Sequence, residues 1–363
     1  SGGTASNYTL TGGTHNFTVN RRAVSVSGTR LYDATTNAVA SDLSTHANLV
    51  GSETLNLSGT GTIASKNVGS NKTVSVGTLA LADGSNGGLA ANYTLSGGTH
   101  QLTVNQRPLN ATLARQYDGT TTAAGSDLSS FDALQGGETL TMTGSGTAAS
   151  ANVANGIAMS SNGTLALADG TGLASNYSLN STVINIAQRV LNSSGSKTYD
   201  ANTDALAGAI TLSNLVSGEA LNHSGTATIS SANAGSYTIT NLSGISIADG
   251  SGGTASNYTL TGGTHNFTIN QRPLAATIAR QYDGTKTAAG SDLSSFDALQ
   301  GGETLTLSGS GTVGDENVAN GQGVTLGSLA LVNGTGLASN YSLNSASLNI
   351  TKRVLNSSGS KTY

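Results

Sequence analysis

At 363 residues with a formal net charge of −4, the chain lacks the basic face that neutralising phosphates demands, which sets aside a nucleic-acid partner. Only 9% of its residues are charged, 49 are glycine and none is cysteine, so neither a disulfide scaffold nor an ordinary charged cytosolic surface fits. No apolar run approaches the ~20 residues that span a bilayer as a helix, and no membrane insertion is expected.

Internal repetition dominates the chain. Tyr-Asp recurs at Tyr32, Tyr117, Tyr199 and Tyr282, and Tyr363 stands where the next copy begins. Asn-Tyr recurs at Tyr8, Tyr93, Tyr177, Tyr258 and Tyr341, and an arginine at Arg22, Arg107, Arg189, Arg272 and Arg353. Three markers keep one period of ~82 residues, the signature of tandem modules. Residues 1–20 then read as the C-terminal part of a truncated module. Residues 21–105, 106–187, 188–270 and 271–351 read as four modules, and 352–363 as the start of another. Similarity is highest between alternate copies: QRPLNATLARQYDGT from Gln106 returns as QRPLAATIARQYDGT from Gln271.

The module 106–187 shows the expected elements in order. Leu109, Ala111, Leu113, Arg115 and Tyr117 share one parity and predict a strand. The basic residue two before each tyrosine (Arg30, Arg115, Lys197, Arg280, Lys361) is expected along the sheet edge, its stem on apolar surface. Asp118-Gly119-Thr120 supplies a turn. The segment 126–134, SDLSSFDAL, is open between strand, loop and a short helical turn. An alternating strand over 138–143 follows, then a Gly-Ser hinge, and a short strand after Gly163. A polar loop from Asp169 reaches Asn176-Tyr177, where the last strand begins and carries Val183, Ile184 and Ile186. It runs into the next module with no Gly/Ser spacer, a stiff coupling. The fold class expected is all-β, a tandem array of sandwich-like modules, immunoglobulin-like or β-grasp-like, forming an elongated rod. A ten-residue strand per module gives four modules a length on the order of 130 Å.

No catalytic, cofactor-binding or metal-ligating residue is nominated. His15, His100 and His265 are repeat-equivalent, but Thr182 and Ala346 fill the same slot elsewhere, so they read as surface strand residues. His46 and His223 lie outside that pattern, and single imidazoles one module apart cannot share an ion. The loops opening at Asp83, Asp169 and Asp249 carry one carboxylate each, and Asn333 replaces it in the last. That is turn chemistry rather than a calcium cage of six to eight oxygens. Glu53, Glu138, Glu219 and Glu303 recur once per module without a constant acidic partner, which a two-carboxylate glycosidase would need. Tyr117 and Tyr177 sit beside turns, where a ring packs inward and its hydroxyl takes a partner; the rival reading is sugar binding by exposed aromatics. The sequons at Asn92, Asn257 and Asn340 permit glycosylation in a chain this rich in Asn, Ser and Thr.

QYDGT at 116–120, GGETL at 136–140 and the closing ASNYSLN…INI resemble the YDG and MBG-type repeat modules of filamentous-haemagglutinin-like adhesins of Gram-negative bacteria. Tyr32-Asp33-Ala34 and Tyr199-Asp200-Ala201 depart from the motif without disturbing the period. The resemblance implies secretion by a two-partner route to the cell surface, a role in adhesion or biofilm, and no catalytic residues. The absence of cysteine suits a chain threaded unfolded through an outer-membrane pore. The function expected is a rigid stalk whose partners are its own neighbouring modules, with a host or surface glycan bound at a distal region. The alternatives are a filament of associating copies and a glycan-binding array.

Overall fold

The computed structural model describes residues 3–363 and is all-β, with 3-10 turns as its only helical elements among those residues. Ser1 and Gly2, the first residues of the 1–20 segment, lie outside the described residues. The chain forms two compact units. One comprises the described residues up to Arg115 together with Thr120–Ile186; the other comprises Gln116–Gly119 and Ala187–Tyr363.

In the first unit each of two repeats builds a six-stranded sheet. The order in the first is Asn37–Val39, Thr60–Ile63, Gly69–Ser75, His100–Asn105, Ser25–Leu31, Thr45–Ala47. In the second it is Thr122–Ala124, Ser145–Ala148, Ala154–Ser161, Tyr177–Ala187, Arg107–Gln116, Leu128–Phe131. The first and last long strands of a repeat therefore lie side by side at the centre, and in the first repeat they run parallel, with Val26 opposite His100 and Leu31 opposite Asn105. The parallel pair departs from the antiparallel sheets of an immunoglobulin sandwich, and no α-helix stands among the described residues for a β-grasp, so the repeats are sandwich-like modules of neither expected subtype. A two-stranded ribbon adds a second layer to each repeat: Leu55–Ser58 with Ala80–Asp83, and Leu140–Thr143 with Ala166–Asp169.

The second unit keeps the parallel central pair but varies the sheets, one of seven strands in its first repeat and one of four strands beside two ribbons in its second. Asn192–Thr198 runs parallel to His265–Asn270, and Arg272–Gln281 parallel to Tyr341–Thr351. In its first repeat one long strand, Leu221–Ile229, serves both layers by pairing with Asp204–Leu206 and Gly235–Asn241 and also with Ile245–Asp249. Elsewhere the chain passes between layers at a glycine. Gly144 has φ +78°, and a β-carbon there would lie 2.1 Å from the Thr164 carbonyl oxygen; Gly59 and Gly309 repeat the geometry. Only glycine fits such an approach, and this is the hinge expected after residue 143.

Side-chain parity places the core. Leu109, Ala111 and Leu113 are buried from one face of the first strand, and Ile184 and Ile186 from the last. Leu274, Ala276 and Ile278 repeat this against Leu348 and Ile350. The ambiguous segment 126–134 resolves into the 3-10 turn Gly125–Asp127 followed by the strand Leu128–Phe131. Asp127 closes that turn by accepting the Ala124 N–H at 3.1 Å.

Two expectations are corrected. His100 and His265 are not surface residues: they are 6% and 7% exposed. The Nε2 atoms bond the Leu95 and Leu260 carbonyls, and Nδ1 of His265 bonds the Ser193 hydroxyl at 2.9 Å. These bonds offset the desolvation of a buried imidazole. His15, by contrast, is exposed. The basic residues stand beyond the last pairing of the first strand with its outer neighbour, but their side chains do not run along that edge. Arg30, Lys197 and Arg280 fold over the following turn and pair with Asp33, Asp200 and Asp283, their side chains only 7%, 13% and 7% exposed. They also cap turn carbonyls: Arg30 holds that of Thr35, Arg115 that of Thr120 and Arg280 that of Thr285. Charge pairing to the aspartate of Tyr-Asp outweighs snorkelling along the sheet. Lys361 is exposed, in a segment without strand structure.

Candidate functional site

The three period markers and the repeated glutamate converge on one arrangement, built from two consecutive repeats. In the first unit the Tyr32 amide bonds the Asn105 carbonyl at 2.9 Å, closing the end of the central parallel pair. Its side chain then leaves its own repeat. The hydroxyl donates to Oε1 of Glu138 at 2.6 Å, and Tyr177 donates to Oε2 of the same carboxylate at 2.9 Å. The two rings meet edge to face, 5.3 Å between centroids at 77°. Gln135 N–H donates to the Tyr177 hydroxyl at 3.1 Å, and Arg107 donates to the Tyr32 carbonyl at 3.3 Å. Asn176 adds a second link: its carbonyl oxygen accepts from Val68 N–H at 2.9 Å and its amide donates to Asn67 at 3.0 Å.

The second unit holds this clasp twice. Tyr199 and Tyr341 donate to Glu303, with ring centroids 5.2 Å apart; Arg272 donates to the Tyr199 carbonyl, and Asn340 links to Ala234 and Asn233. Tyr117 and Tyr258 donate to Glu219, each at 2.7 Å, with centroids 5.4 Å apart and Arg189 on the Tyr117 carbonyl. Half of the arrangement stands at Glu53, which accepts from Tyr93. Tyr32, Tyr117 and Tyr199 are 0%, 5% and 3% exposed, whereas Tyr282, which bonds no clasp carboxylate among the described residues, is 38% exposed.

A carboxylate that accepts from two phenols in a mostly desolvated site favours their protonated forms. Burial, reinforced by the Glu138 carboxylate, raises Tyr32 above the ordinary phenol value. Tyr177, Tyr199 and Tyr258 are each pushed up to about 12, with burial the leading cause. For Glu138 burial works toward a higher value, but Lys66 and the two hydroxyls outweigh it and hold it below the ordinary carboxylate range. Lys66 Nζ lies 2.6 Å from Oε1 of Glu138, and this ion pair belongs to the first clasp alone: Ala151, Ala232 and Glu316 fill its position in the other repeats.

The remaining candidates are engaged in turns. Asp83, Asp169, Asp249 and Asn333 each accept, at 2.7 Å, the first N–H of the 3-10 turn that leads into Asn-Tyr. Asparagine does this as well as aspartate, which explains its substitution in the last repeat. Asn257 and Asn340, at the second and third sequons, are each 1% exposed, while Asn92 is exposed. His223 bonds the Ala207 and Ile210 carbonyls, and burial lowers the pKa of His46.

Reading the repeats singly misses the clasp, because its first tyrosine and its glutamate stand 106 residues apart, more than one period. The available signal is that the glutamate finds a partner inside its own copy, the tyrosine of Asn-Tyr, whereas the tyrosine of Tyr-Asp recurs with none there. The YDG domain family model matches the chain four times, at residues 15–101, 99–184, 187–265 and 268–348. No curated protein matches it.

Proposed function

Because the chain belongs to the YDG domain family, carried as four consecutive copies, we propose that it is a structural segment of a secreted surface adhesin. Its repeats act as a stiff spacer that holds a distal binding region away from the cell. The carrying observation is the Tyr-Glu-Tyr clasp, in which the residues common to every copy join one repeat to the next. A binding or catalytic array would instead direct its repeated side chains at solvent or a cleft. A filamentous-haemagglutinin-like exoprotein exported by a two-partner route to a Gram-negative surface suits the sequence resemblance and the absence of cysteine. In this reading the chain is not an enzyme. Its partners are its own neighbouring repeats.

Electron microscopy of the purified chain at low and high concentration tests the spacer. Single threads at both are expected. Bundles at high concentration would transfer the function to self-assembly, and saturable sugar binding would transfer it to a glycan array. The engagement of the repeat tyrosines with glutamate weighs against that last alternative.

A further inference from the structure

The clasp comes in two steric types. The residue after Tyr-Asp is Ala34, Gly119 or Ala201, always at positive φ. It faces the residues three and two before the clasp glutamate, which are Gln135-Gly136, Val216-Ser217 and Gln300-Gly301 respectively. Wherever the turn carries alanine, the receiving residue two before the glutamate is glycine. At the one clasp whose turn carries glycine, the receiving repeat carries valine and serine.

The distances say why. A β-carbon on Gly136 would stand 2.8 Å from the Ala34 β-carbon, closer than two such atoms approach. A β-carbon on Gly119 would stand 2.9 Å from Cγ1 of Val216 and 3.4 Å from the Glu219 carboxylate. Valine is held to few rotamers, so its methyl cannot simply swing away. Each of these two clasps thus has room for one small apolar group, supplied from one side in the first and from the other in the second. The third clasp follows the alanine-glycine type at looser spacing, 3.9 Å from Gly301 to the Ala201 β-carbon.

We propose that these positions form a two-type recognition code setting which repeat follows which: a Tyr-Asp-Ala turn seats on Gln-Gly-Gly-Glu, and a Tyr-Asp-Gly turn seats on a valine-bearing acceptor. The partner each clasp surface recognises is a YDG repeat of matching type. The code explains why alternate copies resemble each other most. It also fits the sequence after Tyr282-Asp283-Gly284: residues 352–363 match 188–199, the opening that follows the other Tyr-Asp-Gly repeat, at every position but the first.

The inference rests on the clasp and not on the spacer role, so a local measurement separates the two. Amide hydrogen exchange on the full chain would follow Val216 and Gln135, whose N–H groups bond the Tyr258 and Tyr177 hydroxyls. Gly119→Ala should speed exchange at Val216 by about tenfold. Adding Val216→Ala should restore it, because the Val216 β-carbon itself lies at an ordinary 3.8 Å. Alanine is already accommodated at positive φ at Ala34 and Ala201, so backbone strain alone would leave the double variant unrescued. Gly136→Ala should speed exchange at Gln135, with rescue by Ala34→Gly. Gly137→Ala is the control: its φ is +71°, and an added β-carbon would meet nothing within 4 Å. Equal effects of Gly136→Ala and Gly137→Ala, or failure of both rescues, would overturn the code.

Discussion

At the scale of single residues, the clasp carboxylate carries more than its ion pair. Glu138→Ala leaves two phenolic hydroxyls without their acceptor in a mostly desolvated site, and should cost about 3 kcal/mol in denaturant unfolding of the first unit. Lys66→Ala should cost much less, because its side chain is 42% exposed and the pair is screened. A larger loss from the lysine would mean that the ion pair, not the pair of phenols, holds the clasp. The pH dependence has two limbs. Tyr177 has its pKa raised from 10 to about 12, so its contribution is fully present below pH 10 and is lost as pH rises toward about 12. Glu138 is lowered, so its contribution is present above its ordinary value of 4.5 and is lost as pH falls through the folded value. Urea midpoints measured across pH should therefore fall at both extremes, and Tyr177→Phe should flatten part of the alkaline limb.

At the scale of the strand, one slot tests what burial demands. His100, Thr182, His265 and Ala346 occupy equivalent positions, and all four are buried. The two histidines bond carbonyls, but the Thr182 hydroxyl has no hydrogen-bond partner among the described residues. Thr182→Val keeps the shape and removes a buried, unsatisfied hydroxyl, so it should stabilise the second repeat by about 1 kcal/mol. His265→Ala does the reverse. It strips a partner from the Leu260 carbonyl and the Ser193 hydroxyl and leaves space in the core, a loss of about 2 kcal/mol in the same unfolding measurement. This slot also marks a place where the pattern in the sequence outranks its chemistry. His265, Phe267 and Ile269 share parity, as do His100, Leu102 and Val104, and that alternation already assigns the imidazoles to the core face. Side-chain polarity and the Thr and Ala alternatives argue for solvent, yet strand register decides burial. The first strand, the hinge at Gly144 and the turn after Asp169 are legible because each is a local pattern. The parallel central pair is not, since parity reports which face a residue takes and not which strand lies beside it.

At the scale of the molecule, the question is whether neighbouring repeats unfold as separate beads or as coupled segments. In a linear array, stability is the sum of each repeat's own term and a nearest-neighbour term. Here the nearest-neighbour term has an identified seat: one carboxylate, two phenols, an edge-to-face ring pair and an asparagine latch. Glu303→Ala removes the centre of one such seat without touching any strand ladder. Its effect should appear on both sides: faster exchange at the Gln300 amide, which bonds the Tyr341 hydroxyl, and at the Ala234 amide, which bonds Asn340. The central strands Asn192–Thr198 and His265–Asn270 should keep their protection, because their partners lie within one sheet. Loss confined to the fourth repeat would mean that the repeats are only tethered, and a spacer built from them would bend freely at every joint. Loss on both sides would mean that stiffness comes from the clasp, so that a load on one repeat passes to the next through tyrosine and glutamate as well as through the backbone.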